Sequence, residues 1–211
     1  MLAETNRFGS RPIGPLDRPK NYVNGPTVPC VELAILSDTH VPERAEGLQE
    51  PFRDRIAAAD HVVHAGDFGS VEAFEAVRSA ATELTAVYGN ADPDDIDLPP
   101  VASVSVEGVS FVVSHGMVNF VERAVGSTEG VVFGEDDWFD AVVDVARARV
   151  DDDEPIVGVA GHSHEVVTET RGDVTVLNPG TATGVGGEDV PATMLTVEVA
   201  DQSVDVTVHT A

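Results

Sequence analysis

From Val31 onward, short aliphatic runs alternate with segments of helical spacing, and most of the runs stop at a Gly followed by a polar residue. Val31-Glu32-Leu33-Ala34-Ile35-Leu36 predicts a buried strand feeding Ser37-Asp38. Leu48 to Ala59 places Leu48, Phe52 and Ile56 on one helical face, and His61 to Ala65 is a second apolar run closed by Gly66-Asp67. Ser70 then opens a helix through Ala80 with Phe74 and Val77 inward, and Leu84 to Tyr88 gives a third strand stopped by Gly89-Asn90. Strand, helix, strand, helix, strand predicts three parallel strands, and ligands of such sheets bind beyond the carboxyl ends of the strands. The three loops are therefore expected to meet in one crevice.

The pattern changes after Pro99-Pro100. Val101 to Val106 alternates, Glu107-Gly108 turns, and Val109 to Ser114 returns, so a hairpin delivers His115-Gly116. Asp136 to Val150 reads as a helix with Trp138, Phe139, Val142, Val143 and Ala146 in one stripe, a core face, and with Arg147 and Arg149 complementing its C-terminal dipole. Ile156 to Ala160 is a strand ending at Gly161-His162-Ser163-His164. Short strands at Glu165 to Thr170, Val174 to Leu177, Thr193 to Val199 and Val204 to His209 predict a second, largely antiparallel sheet. Residues 117 to 134 give no clean pattern beyond a short helix near Asn119 to Val125. Residues 1 to 30 carry five of the thirteen prolines without apolar periodicity and are read as a flexible extension, leaving 31–211 as one domain.

Composition sharpens this picture in one respect. There are 37 acidic and 12 basic residues, a formal net charge of −25, and Lys20 is the only lysine. Clusters such as Asp92-Pro93-Asp94-Asp95, Glu135-Asp136-Asp137 and Asp151-Asp152-Asp153-Glu154 repel in dilute buffer, a penalty removed at molar salt, where the Debye length is about 3 Å. The runs read as a solvated halophilic surface, without the glycine-containing spacing of a calcium loop. No basic stripe is present to displace counterions from phosphates, which disfavours long nucleic acid as a partner. No apolar stretch approaches the roughly 18 residues of a membrane span, and the N-terminus has no export pattern, so a cytoplasmic location is expected. Cys30 is alone, cannot form an internal disulfide and reads as incidental.

The chemistry lies in six polar signatures in fixed order: Asp38-Thr39-His40, Gly66-Asp67, Gly89-Asn90, His115-Gly116, Gly161-His162-Ser163-His164 and Asn178-Pro179-Gly180. Each alone has an ordinary explanation. Asp38 could cap a turn, Asp67 a helix, and Gly-Asn is a common turn pair. Together they supply carboxylate, amide oxygen and imidazole in the number needed to hold two divalent cations. The i, i+2 spacing of Asp38/His40 and of His162/His164 would aim each pair to one side of an extended segment. His64, inside an apolar run, is expected to be buried or to support the ligands. His61 and His209 are expected at the surface. Asn178-Pro179-Gly180-Thr181 is read as a tight turn under the site.

This set and order resemble the calcineurin-like metallophosphoesterase superfamily, and within it the small prokaryotic phosphodiesterases of the YfcE type, over about residues 31 to 209. The resemblance implies an α/β (α+β) fold, a four-layer sandwich of two mixed β-sheets flanked by helices. It implies one cation held by Asp38, His40, Asp67 and His164, and another by Asp67, Asn90, His115 and His162, with Asp67 bridging. It further implies a phosphodiesterase acting through a hydroxide between two cations, most suitably Mn²⁺, with Fe, Ni or Zn also fitting the mixed donor set. Asp67, Asn90 and His115 would then be catalytic. Many superfamily members carry His after the motif Asn, where it protonates a leaving oxygen, whereas Ala91 stands here. Small diester substrates are favoured by that change over simple monoesters. Two alternatives stay open: a phosphomonoesterase of the same fold, and a catalytically silent interaction scaffold like the retromer subunit that resembles it. A homo-oligomer is also compatible with the sequence.

Overall fold

The computed structural model describes residues 30–117, 135–150, 154–186 and 189–211. The strand, helix, strand series forms as expected: β1 (Val31–Leu36), α1 (Glu50–Ala58), β2 (His61–His64), α2 (Val71–Ala80) and β3 (Leu84–Ala86). Pro51 in the first turn of α1 lacks only an N–H that would have no helical partner there. Ser70 caps α2 by accepting from the Ala73 N–H at 3.1 Å. A hairpin follows, β4 (Val101–Val106) and β5 (Val109–Ser114), then α3 (Glu135–Arg147), β6 (Ile156–Val159), β7 (Val166–Arg171), β8 (Val174–Pro179), β9 (Thr193–Ala200) and β10 (Ser203–Thr210).

Two five-stranded sheets result, ordered β10-β9-β1-β2-β3 and β4-β5-β6-β8-β7. In the first, β1, β2 and β3 are parallel, while β9 and β10 add antiparallel to the free edge of β1. In the second, β5, β6 and β8 run parallel between two antiparallel edge strands. The expectation of a second, largely antiparallel sheet is thus corrected. β9 and β10 return to the first sheet, and the second sheet is mixed, with a parallel centre. Apolar alternation reports which face of a strand is buried, and this is the same whichever sheet the strand joins.

The sheets pack face to face over Leu33, Ile35, Val63, Phe111, Val113, Val157, Leu177 and Val197, all buried. Replacing Phe111 by Ala in the middle of this layer would cost about 3–5 kcal/mol. On the outer face of the first sheet, Phe52 and Ile56 of α1 and Val77 of α2 cover Leu36, Val62 and Met194. On the outer face of the second, Trp138, Phe139, Val142 and Ala146 of α3 cover Val112 and Val176. Helices, sheet, sheet, helix make the expected four layers. Arg147 of α3 pairs with Asp173 in the β7–β8 turn, and Arg171 pairs with Asp140 while lying over the Phe139 ring.

The carboxyl ends of β1, β2, β3, β5, β6 and β8 all open on one edge of the sandwich, and five of the six loops there carry an expected ligand. Residues 1–29 of the expected extension and the helix expected near 119–125 lie outside the described residues. Among the described residues no helix is long and apolar enough to cross a membrane.

Candidate metal centre

The loops after β1 and β2 are fastened to each other by backbone hydrogen bonds. Asp38 N–H donates to Gly66 O at 3.0 Å, Thr39 and His40 N–H both donate to Asp67 O at 2.8 and 3.1 Å, and Val41 N–H donates to Phe68 O at 2.9 Å. This stitching needs unusual backbone. Asp38, His40 and Asp67 have φ of 52°, 46° and 61°, and His162 and His164 have 71° and 59°. Left-handed conformations at five non-glycine residues cost on the order of 1–3 kcal/mol each and gather where function requires them. The expected convergence of the two i, i+2 pairs is therefore real, but its stated cause is corrected. The segments are tight left-handed turns, not extended strands, and positive φ turns each side chain inward.

Two glycines let these turns close. A Cβ on Gly161 would lie 2.5 Å from Asp38 Oδ2, and one on Gly89 would collide with Asp67 Oδ1 and its backbone nitrogen. No larger residue fits at either position.

Asp38, Asp67 and His115 are buried, and His40 nearly so. Asp67 Oδ2 lies 3.4 Å from His40 Nε2 and 3.3 Å from His115 Nε2, between two groups of nitrogen donors. Its other oxygen accepts from the Ala91 N–H at 2.7 Å. Asp38 Oδ1 faces His164 Nε2 at 3.1 Å and His40 Nε2 at 3.8 Å, while Asp38 Oδ2 accepts from the His162 N–H at 3.1 Å. The ligand-type atoms of Asp38, His40 and His164 fall within 4.8 Å of one another, as do those of Asp38, Asp67 and His115. Asn90 Oδ1 is 3.1 Å from His115 Nε2, and the His162 ring stands edge-on to that of His115 at 5.2 Å between centroids. All seven residues singled out in the sequence thus face one cluster. His162 belongs to neither close threesome.

The donor set fits a divalent cation on two observations. Asp38 Oδ1 and His40 Nε2 are buried polar atoms without a hydrogen-bond partner among the described residues, an arrangement that costs stability unless something ligates them. The ring orientations are also fixed. His115 Nδ1–H donates to Ala65 O at 2.7 Å, which leaves Nε2 to face the cluster. Burial alone would push His115 down, but the Asp67 carboxylate outweighs it and lifts the imidazole to about 10. His40 is likewise raised by Asp38 and Asp67 against the opposing effect of burial. Burial would raise Asp38, but His164 and His40 beside it hold its carboxyl far below the usual carboxylate range. Asp67 is lowered against burial by His115. The Asp38 and Asp67 carboxylates and the His40 and His115 rings thus shift one another's protonation in opposite directions.

Several supporting residues lie beneath. His64 is fully buried and stacks on Phe68 with ring centroids 3.5 Å apart. Its Nδ1 accepts from the Gly66 N–H at 3.2 Å, so Nε2–H points to Thr39 Oγ1 at 2.8 Å. Burial drops its pKa to about 3, and it stays neutral. Asn178 donates to Gly161 O at 3.1 Å and Ser163 Oγ at 2.9 Å, holding the turn that presents His162 and His164. Thr181 and Thr183 hydroxyls donate to Asp38 O at 3.1 Å and Thr39 O at 2.8 Å. The expectations for His64 and for Asn178 as site supports hold.

Three residues stand otherwise than expected. His61 is not a surface residue. It is buried, with Nε2 2.8 Å from Thr85 Oγ1, because β2 is an interior strand flanked by β1 and β3 and covered on both faces. His209 is half-buried, with Nε2 2.8 Å from Thr196 Oγ1 across the β9–β10 pair. Asp92, counted among the solvated acidic clusters, is also buried. Its carboxylate accepts from the N–H groups of Asp67 at 3.0 Å, Phe68 at 2.6 Å, Gly69 at 3.2 Å and Gly89 at 2.8 Å, tying the β2 and β3 loops together. Burial raises Asp92, with the nearby Asp67 charge adding to the rise and the Gly89, Gly69 and Phe68 N–H donors opposing it. The signal available in the sequence was the short reach from Gly89 to Asp92, and the neighbouring Asp94 and Asp95 obscured it.

Fold and site define a two-sheet sandwich with a histidine–carboxylate centre at the carboxyl ends of its parallel strands. The chain belongs to the calcineurin-like phosphoesterase superfamily, whose domain model matches residues 31–202. A probable metallophosphoesterase of Methanocaldococcus jannaschii is 26% identical over 157 residues, covering 72% of this chain and 68% of that protein. A phosphodiesterase of the same organism is 27% identical over 170 residues, covering 73% of this chain and 86% of that protein. Among solved structures, Vps29 of Chaetomium thermophilum superposes with a TM-score of 0.65 at 19% identity, covering 86% of this chain and 97% of that one, a likeness of fold. Superfamily membership and these relatives support a hydrolase that uses divalent metal.

Proposed function

We propose that this protein is a two-metal phosphodiesterase that hydrolyses small phosphate diesters. The observation that carries the reading is the position of Asp67 Oδ2, 3.4 and 3.3 Å from imidazole nitrogens on its two sides, with orphaned Asp38 Oδ1 and His40 Nε2 beside it. Asp38, His40, Asp67 and His164 would hold one cation, and Asp67, Asn90, His115 and His162 the other. When bound, such a pair supplies a water of lowered pKa and neutralises charge on the phosphoryl oxygens. Mn²⁺ suits the mixed oxygen and nitrogen donors, with Fe, Ni or Zn as competitors.

The chain's own residues do the rest. Asp67, Asn90 and His115 fix the position of the reacting phosphate. His115 holds its Nε2 toward the cluster through Ala65 O, and the Ala91 N–H steadies the Asp67 carboxylate. Ala91 brings no side chain able to protonate a leaving oxygen, which favours diesters and other substrates with good leaving groups. The surplus of acidic residues supports work in a salt-rich cytoplasm, on small substrates and not on long nucleic acid. The test compares bis-p-nitrophenyl phosphate with p-nitrophenyl phosphate in molar KCl, with Mn²⁺ and after chelation. Metal-dependent, diester-preferring turnover is expected. A folded protein that turns over neither ester with any divalent metal would instead be an interaction scaffold, and faster monoester turnover would make it a monoesterase.

A further inference from the structure

Immediately beside His115 the surface opens into a cavity of about 300 Å³, at the lower end of the range for small-ligand pockets. Its walls come from the entry to the second sheet and from α3 and the turn after it: Tyr88, Val101, Met117, Ala141, Val145 and the cationic Arg149, with His115 also in the lining. The lining is mostly apolar in a chain whose surface is otherwise strongly acidic. Tyr88 contributes its ring and not its hydroxyl, because the hydroxyl donates to Asp92 O at 2.8 Å. That bond also fixes the wall to the residue that ties the β2 and β3 loops. Beside Gly116, the indole N–H of Trp138 is buried without an acceptor among the described residues; a Cβ on Gly116 would approach it to 2.5 Å. This walled, mostly apolar space shares His115 with the ligand cluster.

We propose that this cavity is a specificity subsite for one esterifying group of the substrate, a compact apolar group of about the size of an aromatic ring. The inference rests on the phosphodiesterase reading of the cluster. It is chosen over an open-ended docking role because the space is small and shares His115 with the cluster. A ring buries far more apolar surface against Tyr88, Val101 and Val145 than a methyl group does, and affinity should follow that difference.

Binding, not turnover, tests the proposal. Phenyl phosphate and methyl phosphate are titrated calorimetrically into the Mn²⁺-loaded and chelated protein in molar KCl, wild type and Ala141→Trp. In the wild type phenyl phosphate should bind about tenfold or more tighter than methyl phosphate. Ala141→Trp, which fills the cavity, should bring the two to within about twofold, with methyl phosphate affinity unchanged as evidence that the fold and the metal cluster persist. Metal-dependent binding of both esters with no preference in the wild type overturns the subsite and leaves the metal centre standing. A preference that survives in Ala141→Trp places the ring elsewhere and overturns it too. Binding that is indifferent to metal overturns both readings.

Discussion

The two sides of the cluster are built differently. The Asp38/His40 side is fixed by main chain: four N–H groups from the β1 loop reach carbonyls of the β2 loop, and threonine hydroxyls hold the carbonyls of Asp38 and Thr39. Its ligand-type atoms stand close together, and two of them are orphaned. The Asn90/His115/His162 side has one firmly oriented member, His115, while Asn90 is exposed and His162 is outside the close groups. The difference teaches that preorganisation is local. One half of the cluster is held in place by backbone hydrogen bonds, and the other half hangs on one anchored imidazole.

The comparison can be broken from several directions. Asp67→Ala removes the group shared by both sides, and metal-dependent diester hydrolysis should fall by roughly 10³-fold or more, against the 10²–10³ seen for loss of a single stabilising donor. Steady-state assay in molar KCl measures it. Asp92→Ala leaves four N–H groups without their acceptor, and since each buried orphan costs about 1–3 kcal/mol, stability should drop by about 3 kcal/mol or more. Denaturant melts of the metal-free protein check this. An unchanged midpoint would show that water replaces the carboxylate.

Smaller effects probe both halves. Asn178→Ala should weaken cation binding by about 10–100-fold, as other supporting residues do, on both sides, because the turn that Asn178 braces carries both His162 and His164. The pH dependence follows from the raised imidazoles. His115, lifted to about 10, carries a proton in the metal-free protein near neutrality, and a cation must displace it. Apparent metal affinity should therefore rise with pH, by up to about tenfold per unit for each proton released, and level off as pH approaches 10. Calorimetry in buffers of different ionisation enthalpy counts the protons. Affinity independent of pH would mean that His115 is neutral before binding.

Much of this was legible in the sequence. The β1 to β3 series, the hairpin and the α3 stripe follow from period-2 and period-3.6 patterns that burial enforces directly. The seven cluster residues were visible because each sits at a strand end. Three things were not legible, for physical reasons. The sheet that β9 and β10 join depends on which edge is open, and alternation is silent on that. Positive φ at Asp38, His40, Asp67, His162 and His164 is a tertiary imposition: Asp and His tolerate it better than most residues, but it is uncommon even for them, and residue type alone does not place it. Asp92 and His61 look like surface residues by type, and only their partners, loop N–H groups for Asp92 and Thr85 on the neighbouring strand for His61, make burial tolerable.

The central claim is that one cluster holds two cations across Asp67, the stitched side filling first. Titrating metal-free protein with Mn²⁺ in molar KCl and counting bound metal tests it most directly, with His162→Ala as the comparison. Two cations per chain in the wild type, the first tighter than the second, and one retained in His162→Ala is the predicted result. A single cation in both proteins would contradict the account.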